Sequence, residues 1–562
     1  MTSGLVLGAA IGDCVHVAGT LNFLAACRRH GYRTEFLGPA VSVDRLVEEA
    51  ARRRPDVLAV SYRLTPESAQ RLLAELASTL NARGLGGIRA VFGGPPPVAE
   101  VARRSGLFEM VFGSKEGPTV EGWLSGAAAS SLLGPTGGPQ NLVMRRRQAR
   151  PRPLIRHHFG LPSVERTVAG IGEIARSGLV DVISIGPDQN AQEHFFHPER
   201  MDRDQDGAGG VPVRSPDHFR SLHDAAREGN HPLLRCYSGT NDLIDFAEML
   251  HETINNAWCA IPVFWYSELD GRSTRTLEEA IAENQRLVEW NAARGIPVER
   301  NDQNQWGLRA AHDALQVAAA ALAARLSANA GVATYVLQMM LNNPAGVSPA
   351  MDIAKMEAMH TLVEDFAGPN MTVLRELRAG LFSLPPDPDR ALGQLASATR
   401  TAMALSPDII HVVGHTEADH AIEAHELIIA CAVVHQVIGD ALLGLPDPMA
   451  DTAITQRKDR LLEQAATLLD TITSRFPDAI DGDPIQLGAI VRSGLFDAPH
   501  LTGNPTAPGK VVTVVDGGCD AVDPASGERL DEVDRIAGLS AQSTPGETAS
   551  RRILNSTTPT GA

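Results

Sequence analysis

The run Gly12-Asp13-Cys14-Val15-His16-Val17-Ala18-Gly19 follows the first apolar stretch of the chain, Leu5–Ile11, and leads into the helical pattern Gly19–His30. An apolar strand that ends in a Gly-led polar turn and passes directly into a helix begins a βα unit. The unit recurs outward from this point: further strands are predicted at Thr34–Leu37, Val57–Ser61, Ala90–Phe92 and Met110–Phe112, with helical stretches such as Pro66–Ala82 between them. This alternation predicts a parallel, doubly wound α/β sheet over residues 1–132, with its ligand at the carboxyl ends of the strands.

The stretch GPTGGPQNLVMRRRQARPR, rich in Gly, Pro and Arg, marks a boundary and predicts a solvated linker over 133–151. Beyond it, residues 152–445 repeat a strand-then-helix unit eight times. The strands are PLIRHHFG, VDVISIGPD, PLLRCYSGT, AIPVFWYSE, IPVERNDQN, VATYVLQMM, MTVLRELRA and DIIHVVGHT, each apolar at its start and polar at its end. Eight such units predict a (β/α)8 barrel, or TIM barrel, with its chemistry at the polar strand ends. A C-terminal extension over 446–540 holds a helical stretch at 450–476 and a short strand at Lys510–Val515, and a disordered tail is predicted over 541–562.

The bulk composition narrows the function classes. The chain has 562 residues, too many for one core, and a formal net charge of −17. That charge argues against gripping nucleic acid or an anionic membrane surface. No apolar run of about 18 residues is free of charge and Pro, so a membrane span is not expected. Cys14, Cys27, Cys236, Cys259, Cys431 and Cys519 are scattered, which suits reduced thiols rather than a disulfide framework. MTSGLVLGAAIGD lacks a basic leader and reads as a first strand. The expected compartment is the cytoplasm, and the expected assembly a homodimer.

Three signatures lie in order on the right strands: Asp13-Cys14-Val15-His16 with Gly19, then Ser61-Tyr62-Arg63-Leu64-Thr65, then Gly93-Gly94. Together they resemble the flavodoxin-like (Rossmann-like) cobalamin-binding domain of glutamate mutase, methylmalonyl-CoA mutase and methionine synthase. The resemblance implies that His16 ligates cobalt from below, and that Asp13 hydrogen-bonds the other ring nitrogen and tunes the ligand. The remaining cofactor-binding positions are Gly19, Ser61, Leu64, Thr65, Gly93, Gly94 and Gly113, with the glycines leaving room for the displaced nucleotide tail. One residue separates Asp and His in that family; here Cys14 and Val15 do, and a one-residue bulge would restore the contact. The plain alternative is a flavodoxin-like domain whose His16 caps a helix.

Glutamate (methylaspartate) mutase and its relatives pair this module with a TIM barrel, and the segment GLFDAPHLTGNPTAPGKVVTVVDGGCDAVDP is similar to the tail of its catalytic chain. The resemblance therefore implies an adenosylcobalamin-dependent radical carbon-skeleton mutase acting on a small amino or carboxylic acid. Three alternatives stay open. A corrinoid methyltransferase normally carries a helical cap ahead of the cobalamin domain, for which this chain has no room before Leu5. An aminomutase that also uses pyridoxal phosphate (PLP) needs a Schiff-base Lys. Of Lys115, Lys355, Lys458 and Lys510, Lys115 is the best placed, and Lys355 reads as a surface position on a barrel helix. A cobalamin carrier would not need a barrel.

Arg forks suit substrate carboxylates. At the barrel strand ends Arg235 and Arg300 are the candidates for that role, and Glu268 or Glu299 for an amino group or a base, with Tyr237 beside them. Arg375, Arg378, His157 and His158 are further polar strand-end residues. The run His415-Thr416-Glu417-Ala418-Asp419-His420 invites a metal reading but matches no zinc spacing.

Overall fold

The computed structural model describes residues 4–113, 120, 123, 124 and 140–541. The chain divides into two compact units, Met1–Thr136 and Gly137–Ala562. Lys115, residues 133–139 of the expected linker and the expected tail from 542 on lie outside the described residues.

The first unit runs β1 (Leu5–Ala10), α1 (Ala18–Arg29), β2 (Arg33–Phe36), α2 (Val43–Arg53), β3 (Val57–Ser61), α3 (Pro66–Ala82), β4 (Ala90–Gly93), α4 (Pro96–Ser105) and β5 (Met110–Phe112). Its strands pair in parallel in the order β2-β1-β3-β4-β5. β1 is buried at all six positions of LVLGAA, as a strand covered by helices on both faces must be. α3 begins where the sequence signals it: Thr65 accepts a hydrogen bond from Ser68 N (3.3 Å), and Pro66 occupies the first turn, where no N–H is needed. The order of strands reverses between β1 and β3, which opens a crevice at their carboxyl ends.

In the second unit, eight parallel strands follow: β6 (Leu154–Phe159), β7 (Val182–Ile185), β8 (Leu233–Cys236), β9 (Cys259–Ala260), β10 (Val298–Arg300), β11 (Thr334–Met340), β12 (Thr372–Arg378) and β13 (Ile409–Val412). They pair in the order β8-β7-β6-β13-β12-β11-β10-β9, a nearly closed barrel with β8 and β9 at its seam. The seam has a local cause. The sequence predicts an extended strand through 260–268, but only Cys259–Ala260 pair; Pro262 has no N–H to offer, and the N–H groups of Val263 and Phe264 turn onto the Asp302 carboxylate at 2.8–3.2 Å. Asp302 itself opens a short helix, Asp302–Gly307, where extended chain was predicted.

The predicted solvated linker is corrected by α5 (Leu142–Ala149), whose Arg145 and Arg146 are buried. Arg145 donates to the carbonyls of Asp181 (3.1 Å), Asn230 (3.3 Å) and His231 (2.7 Å), and Arg146 pairs with Asp408 at 2.7 Å. These acceptors precede β7, β8 and β13, so the basic run closes the amino-terminal end of the barrel. Leu142 completes the seal against Leu154, Trp258 and Ile409.

Helix Asp313–Asn329, DALQVAAAALAARLSAN, is buried nearly all round. A helix without a polar face needs cover on every side, and the C-terminal extension supplies it through helix Thr452–Arg475. Arg457 of that helix reaches Asp313 (2.7 Å) and Asp520 (2.6 Å), the latter on a hairpin of β14 (Val512–Asp516) and β15 (Gly518–Val522). Lys355, read from sequence as a surface residue, is 1% exposed; it donates to Asn343 O at 2.6 Å and lies 3.3 Å from Asp313. Helix Ala424–Ala441 is long and apolar enough to cross a membrane, yet Leu427, Cys431, Val434 and Ile438 on it are buried in the barrel core. All six cysteines are buried, and none is in a disulfide among the described residues.

Candidate functional site

Two cavities sit where the two sheets place their carboxyl ends. In the first unit a slot of about 490 Å³ is lined by His16, Gly19, Thr20, Ser61, Gly93 and Gly113 among others. Gly19 and Gly93 leave nothing within 4 Å of where a Cβ would stand, so any side chain there would project into the slot. Gly94 also lines the slot, and a Cβ there would stand 2.6 Å from the Tyr62 carbonyl oxygen; Gly113 has φ +153 against the Gly94 carbonyl, a position only glycine tolerates. Thr20 Oγ1 donates to Ser61 Oγ at 2.6 Å on the wall, leaving the Ser61 hydroxyl proton free to donate in turn. A glycine-cleared slot with a hydroxyl pair fits the slender nucleotide tail that the resemblance implies.

His16 is exposed at the mouth of this slot, on the turn after β1. Its expected partner is elsewhere: Asp13 accepts from Tyr62 Oη at 3.1 Å, and His16 Nδ1 faces Cys14 Sγ at 3.9 Å. The extra residue between Asp13 and His16 has turned the two side chains apart, so the Asp13–His16 pairing is corrected. Leu64 and Thr65 also lie outside the slot wall; Thr65 is the cap of α3.

At the mouth of the barrel a second cavity of about 530 Å³ is bounded by Arg156, His158, Tyr237, Glu299, Gln338 and Arg378, with loop residues above them. Its floor is a layer of four charged side chains from alternate strands: Arg156 (β6), Arg235 (β8), Glu299 (β10) and Glu376 (β12), each no more than 1% exposed. Barrels of this kind stack such layers from alternate strands, usually with branched apolar residues. Here Arg156 donates to Glu299 (3.0 Å), to Glu376 and to Ser184 Oγ (2.8 Å). Trp258 Nε1 (2.6 Å) and Gln338 Nε2 (2.8 Å) complete the shell of Glu299, and Arg235 stands 3.4 Å from it.

The two carboxylates are driven apart. Burial works against the charge of Glu299, but Arg235, Arg156 and the Trp258 N–H outweigh it and hold its pKa below the ordinary value. Burial pushes Glu376 up to about 7 despite the neighbouring Arg156. Environments that split a carboxylate pair in this way leave one ionised and one able to exchange a proton near neutrality. His158 stacks on Tyr237 (5.1 Å between centroids, 12°) with Tyr237 Oη 3.1 Å from its Nε2, and burial drives its pKa well below the usual imidazole value. Burial likewise lowers His157 to about 4.

Of the five predicted substrate residues, Glu299 and Tyr237 line the cavity. Arg235 lies beneath, its guanidinium 5.0 Å from the Tyr237 ring centroid, and supports the floor. Arg300 faces away, donating to the carbonyls of Ile261 (3.3 Å) and Pro262 (2.8 Å). Glu268 accepts from Leu277 N at 3.2 Å at the start of a barrel helix. Arg300 and Glu268 are therefore structural, because the β9 segment folds back instead of extending. Arg156, Gln338, Glu376 and His411 were missed; all sit inside their strands rather than at the ends, and the signal available was charge within an otherwise apolar run. Arg378 has the plainest potential. It lines the cavity, and its Nε is shut off from solvent with no hydrogen-bond partner. Among the described residues no group of three or more His, Cys, Asp or Glu is arranged to hold a metal ion; His420 of the 415–420 run pairs with Asp419 (2.8 Å) and Glu426 (3.1 Å).

The chain is similar to a cobalamin-binding protein from Desulfitobacterium hafniense DCB-2, with 20% identity over 22% of this chain and 58% of that one, at a TM-score of 0.19. A rubisco-like protein from Alicyclobacillus acidocaldarius matches with 15% identity over 57% of this chain and 70% of its own, at a TM-score of 0.32. A phospho-2-dehydro-3-deoxyheptonate aldolase from Thermotoga maritima gives 14% identity, 52% and 70%, and 0.32. No curated protein matches the chain. Residues 4–121, which carry the glycine-cleared slot, match the B12 binding domain family, and the N-terminal unit is a B12 binding domain.

Proposed function

We propose that the protein is an adenosylcobalamin-dependent radical mutase that rearranges the carbon skeleton of a small amino or carboxylic acid, similar to glutamate mutase. The observation that carries this reading is Arg378, whose Nε has no hydrogen-bond partner, on the wall of a cavity whose floor is a layer of paired Arg and Glu side chains. An Arg with an unsatisfied N–H on a cavity wall is suited to a carboxylate from outside the protein. In the first unit, His16 would be a ligand for the cofactor's cobalt, and the slot walled by Gly19, Gly93 and Ser61 would hold its nucleotide tail.

When bound, adenosylcobalamin supplies homolytic cleavage of its Co–C bond and so a carbon radical able to take a hydrogen atom. The protein's own groups then hold, orient and shield. Arg378 fixes the substrate carboxylate, and the stacked His158–Tyr237 pair presents a flat neutral wall beside it. Glu299, held ionised by Arg156 and Arg235, accepts a substrate N–H or O–H; Glu376 buffers the floor's charge through Arg156. Fixing a reactant in the geometry of attack and excluding water from it are what such a cavity contributes.

The test is reconstitution with adenosylcobalamin, a screen of small acids and amino acids, and EPR. A Co(II)–radical signal with an isomerised product supports the reading. A signal that requires pyridoxal phosphate, or methyl transfer from a donor without any radical, replaces it.

A further inference from the structure

A second cavity, of about 490 Å³, lies beside the substrate cavity of the barrel. It is formed between the mouth loops, through Ala310, Pro344, Ala345 and Phe382, and the C-terminal extension, through Val511 and Val515. Leu308 lines both cavities, and the consecutive residues Leu381 and Phe382 line one each, so a single leucine and one turn of chain separate the two spaces. The substrate cavity is floored by charge. The annex is not. Its hydroxyl protons are already used: Thr502 Oγ1 lies 2.9 Å from the Pro499 carbonyl and 2.8 Å from that of Gly509 and donates between them, and Thr513 donates to Ala310 O (2.9 Å). What faces the annex is mostly hydrocarbon, including Phe382, a large apolar side chain left 62% exposed, and His500 is the one titratable side chain in its lining. Water held against such a wall is readily displaced by an apolar group.

We infer that the annex is a specificity pocket for the apolar portion of the substrate. The protein then acts on acids that carry an alkyl or aryl extension, with the carboxylate on Arg378 and the extension passing Leu308 into the annex. The inference rests on the proposed substrate site at Arg378 and narrows its substrate class. It is carried by the shared Leu308 wall and by the contrast between the two linings.

The experiment is calorimetric titration of the full-length protein, supplied with cobalamin, with butanoate and with octanoate as probes. Octanoate is expected to bind about tenfold or more tightly than butanoate, since each added methylene leaves water for an apolar wall. Phe382→Ala, which removes hydrocarbon from the pocket, and Ala345→Trp, which fills it, each bring octanoate back to within about threefold of butanoate and leave butanoate unchanged. Phe382 and Ala345 are both exposed, so neither variant threatens the fold. Octanoate binding no better than butanoate overturns the inference, as does an octanoate preference that both variants leave intact. The absorption spectrum of the same samples after gel filtration reports separately on the cobalamin reading. Loss of corrinoid with the octanoate preference intact would remove the mutase and keep the pocket.

Discussion

Arg156 on β6 donates to Glu299 on β10 across the barrel interior at 3.0 Å, with both side chains 1% exposed. The same Nη1 also serves Glu376, and so one guanidinium bridges two carboxylates that would otherwise repel each other in a dry interior, with Arg235 as the second cation 3.4 Å from Glu299.

Removal of that cation is therefore expected to cost far more than a surface charge. Arg156→Leu takes away the guanidinium bonded to Glu376, leaving it only the more distant Arg235 among the described arginines that act on it, and leaves Glu299 to Arg235 at 3.4 Å. Breaking one side of a buried pair costs about 3–5 kcal/mol, read as a fall in the midpoint of urea unfolding. Arg156→Leu combined with Glu376→Leu recovers much of the loss, because no charge is then stranded. Equal stability of the single variant and the native protein would show the layer is not a unit.

Glu376 makes stability depend on pH in a definite direction. Its folded pKa, about 7, lies above the ordinary Glu value of 4.5, so the folded state retains a proton that the unfolded chain has lost. Stability from this group is complete below pH 4.5, falls as pH rises to about 7, and is level above that. His157 and His312, both lowered by burial to about 4, act in the opposite sense between there and 6.5. The comparison that isolates Glu376 is Glu376→Gln against the native protein: the variant should gain relative stability steadily from pH 4.5 to 7. Parallel stability profiles across that window would contradict it.

The slot of the B12 binding domain separates room from strain. Gly93→Leu meets nothing within 4 Å at its Cβ, so it should leave the melting temperature nearly unchanged while lowering cobalamin affinity by about tenfold or more. Gly113→Ala has the opposite profile: φ +153 and the Gly94 carbonyl leave no place for the methyl, and the domain itself is destabilised. Spectrophotometric cobalamin titration and thermal melts of both variants check the pair. Gly93→Leu with native affinity would place the tail elsewhere.

His16→Gly should change the optical spectrum of the bound corrinoid, because the imidazole is replaced by another ligand or by none. Asp13→Ala, by contrast, loses only the 3.1 Å contact from Tyr62, and the spectrum of bound corrinoid should stay near that of the native protein. A large spectral change in Asp13→Ala would mean that cobalamin binding brings Asp13 and His16 together.

The C-terminal extension is joined to the barrel through charge as well as through the apolar helix it covers. Arg457→Met leaves Asp313 with Lys355 alone at 3.3 Å and strips Asp520 of its 2.6 Å partner. The expected cost is again about 3–5 kcal/mol, and protease digestion should release the segment from Thr452 onward before the barrel itself is cut. Uniform digestion of the whole second unit would indicate one indivisible fold.

Local order along this protein was legible in its residues. The alternation of apolar runs and amphipathic stretches marked both sheets, Thr65-Pro66 marked the start of α3, and the glycines at 19, 93 and 94 marked the slot, because periodicity, caps and glycine act over a few residues. Only the tertiary structure decided which side chains meet. Arg156 and Glu376 lie 220 positions apart, and their sharing one layer depends on strand register and barrel closure, which no local pattern encodes. The same holds for Arg145, which composition assigns to solvent until three carbonyls at the barrel base claim it. It holds also for Asp13, whose partner, Tyr62, comes from 49 residues away, just beyond the carboxyl end of β3, rather than from the nearby histidine. A strand's own sequence sets which residues face inward; the closure of the sheet determines which charges they face.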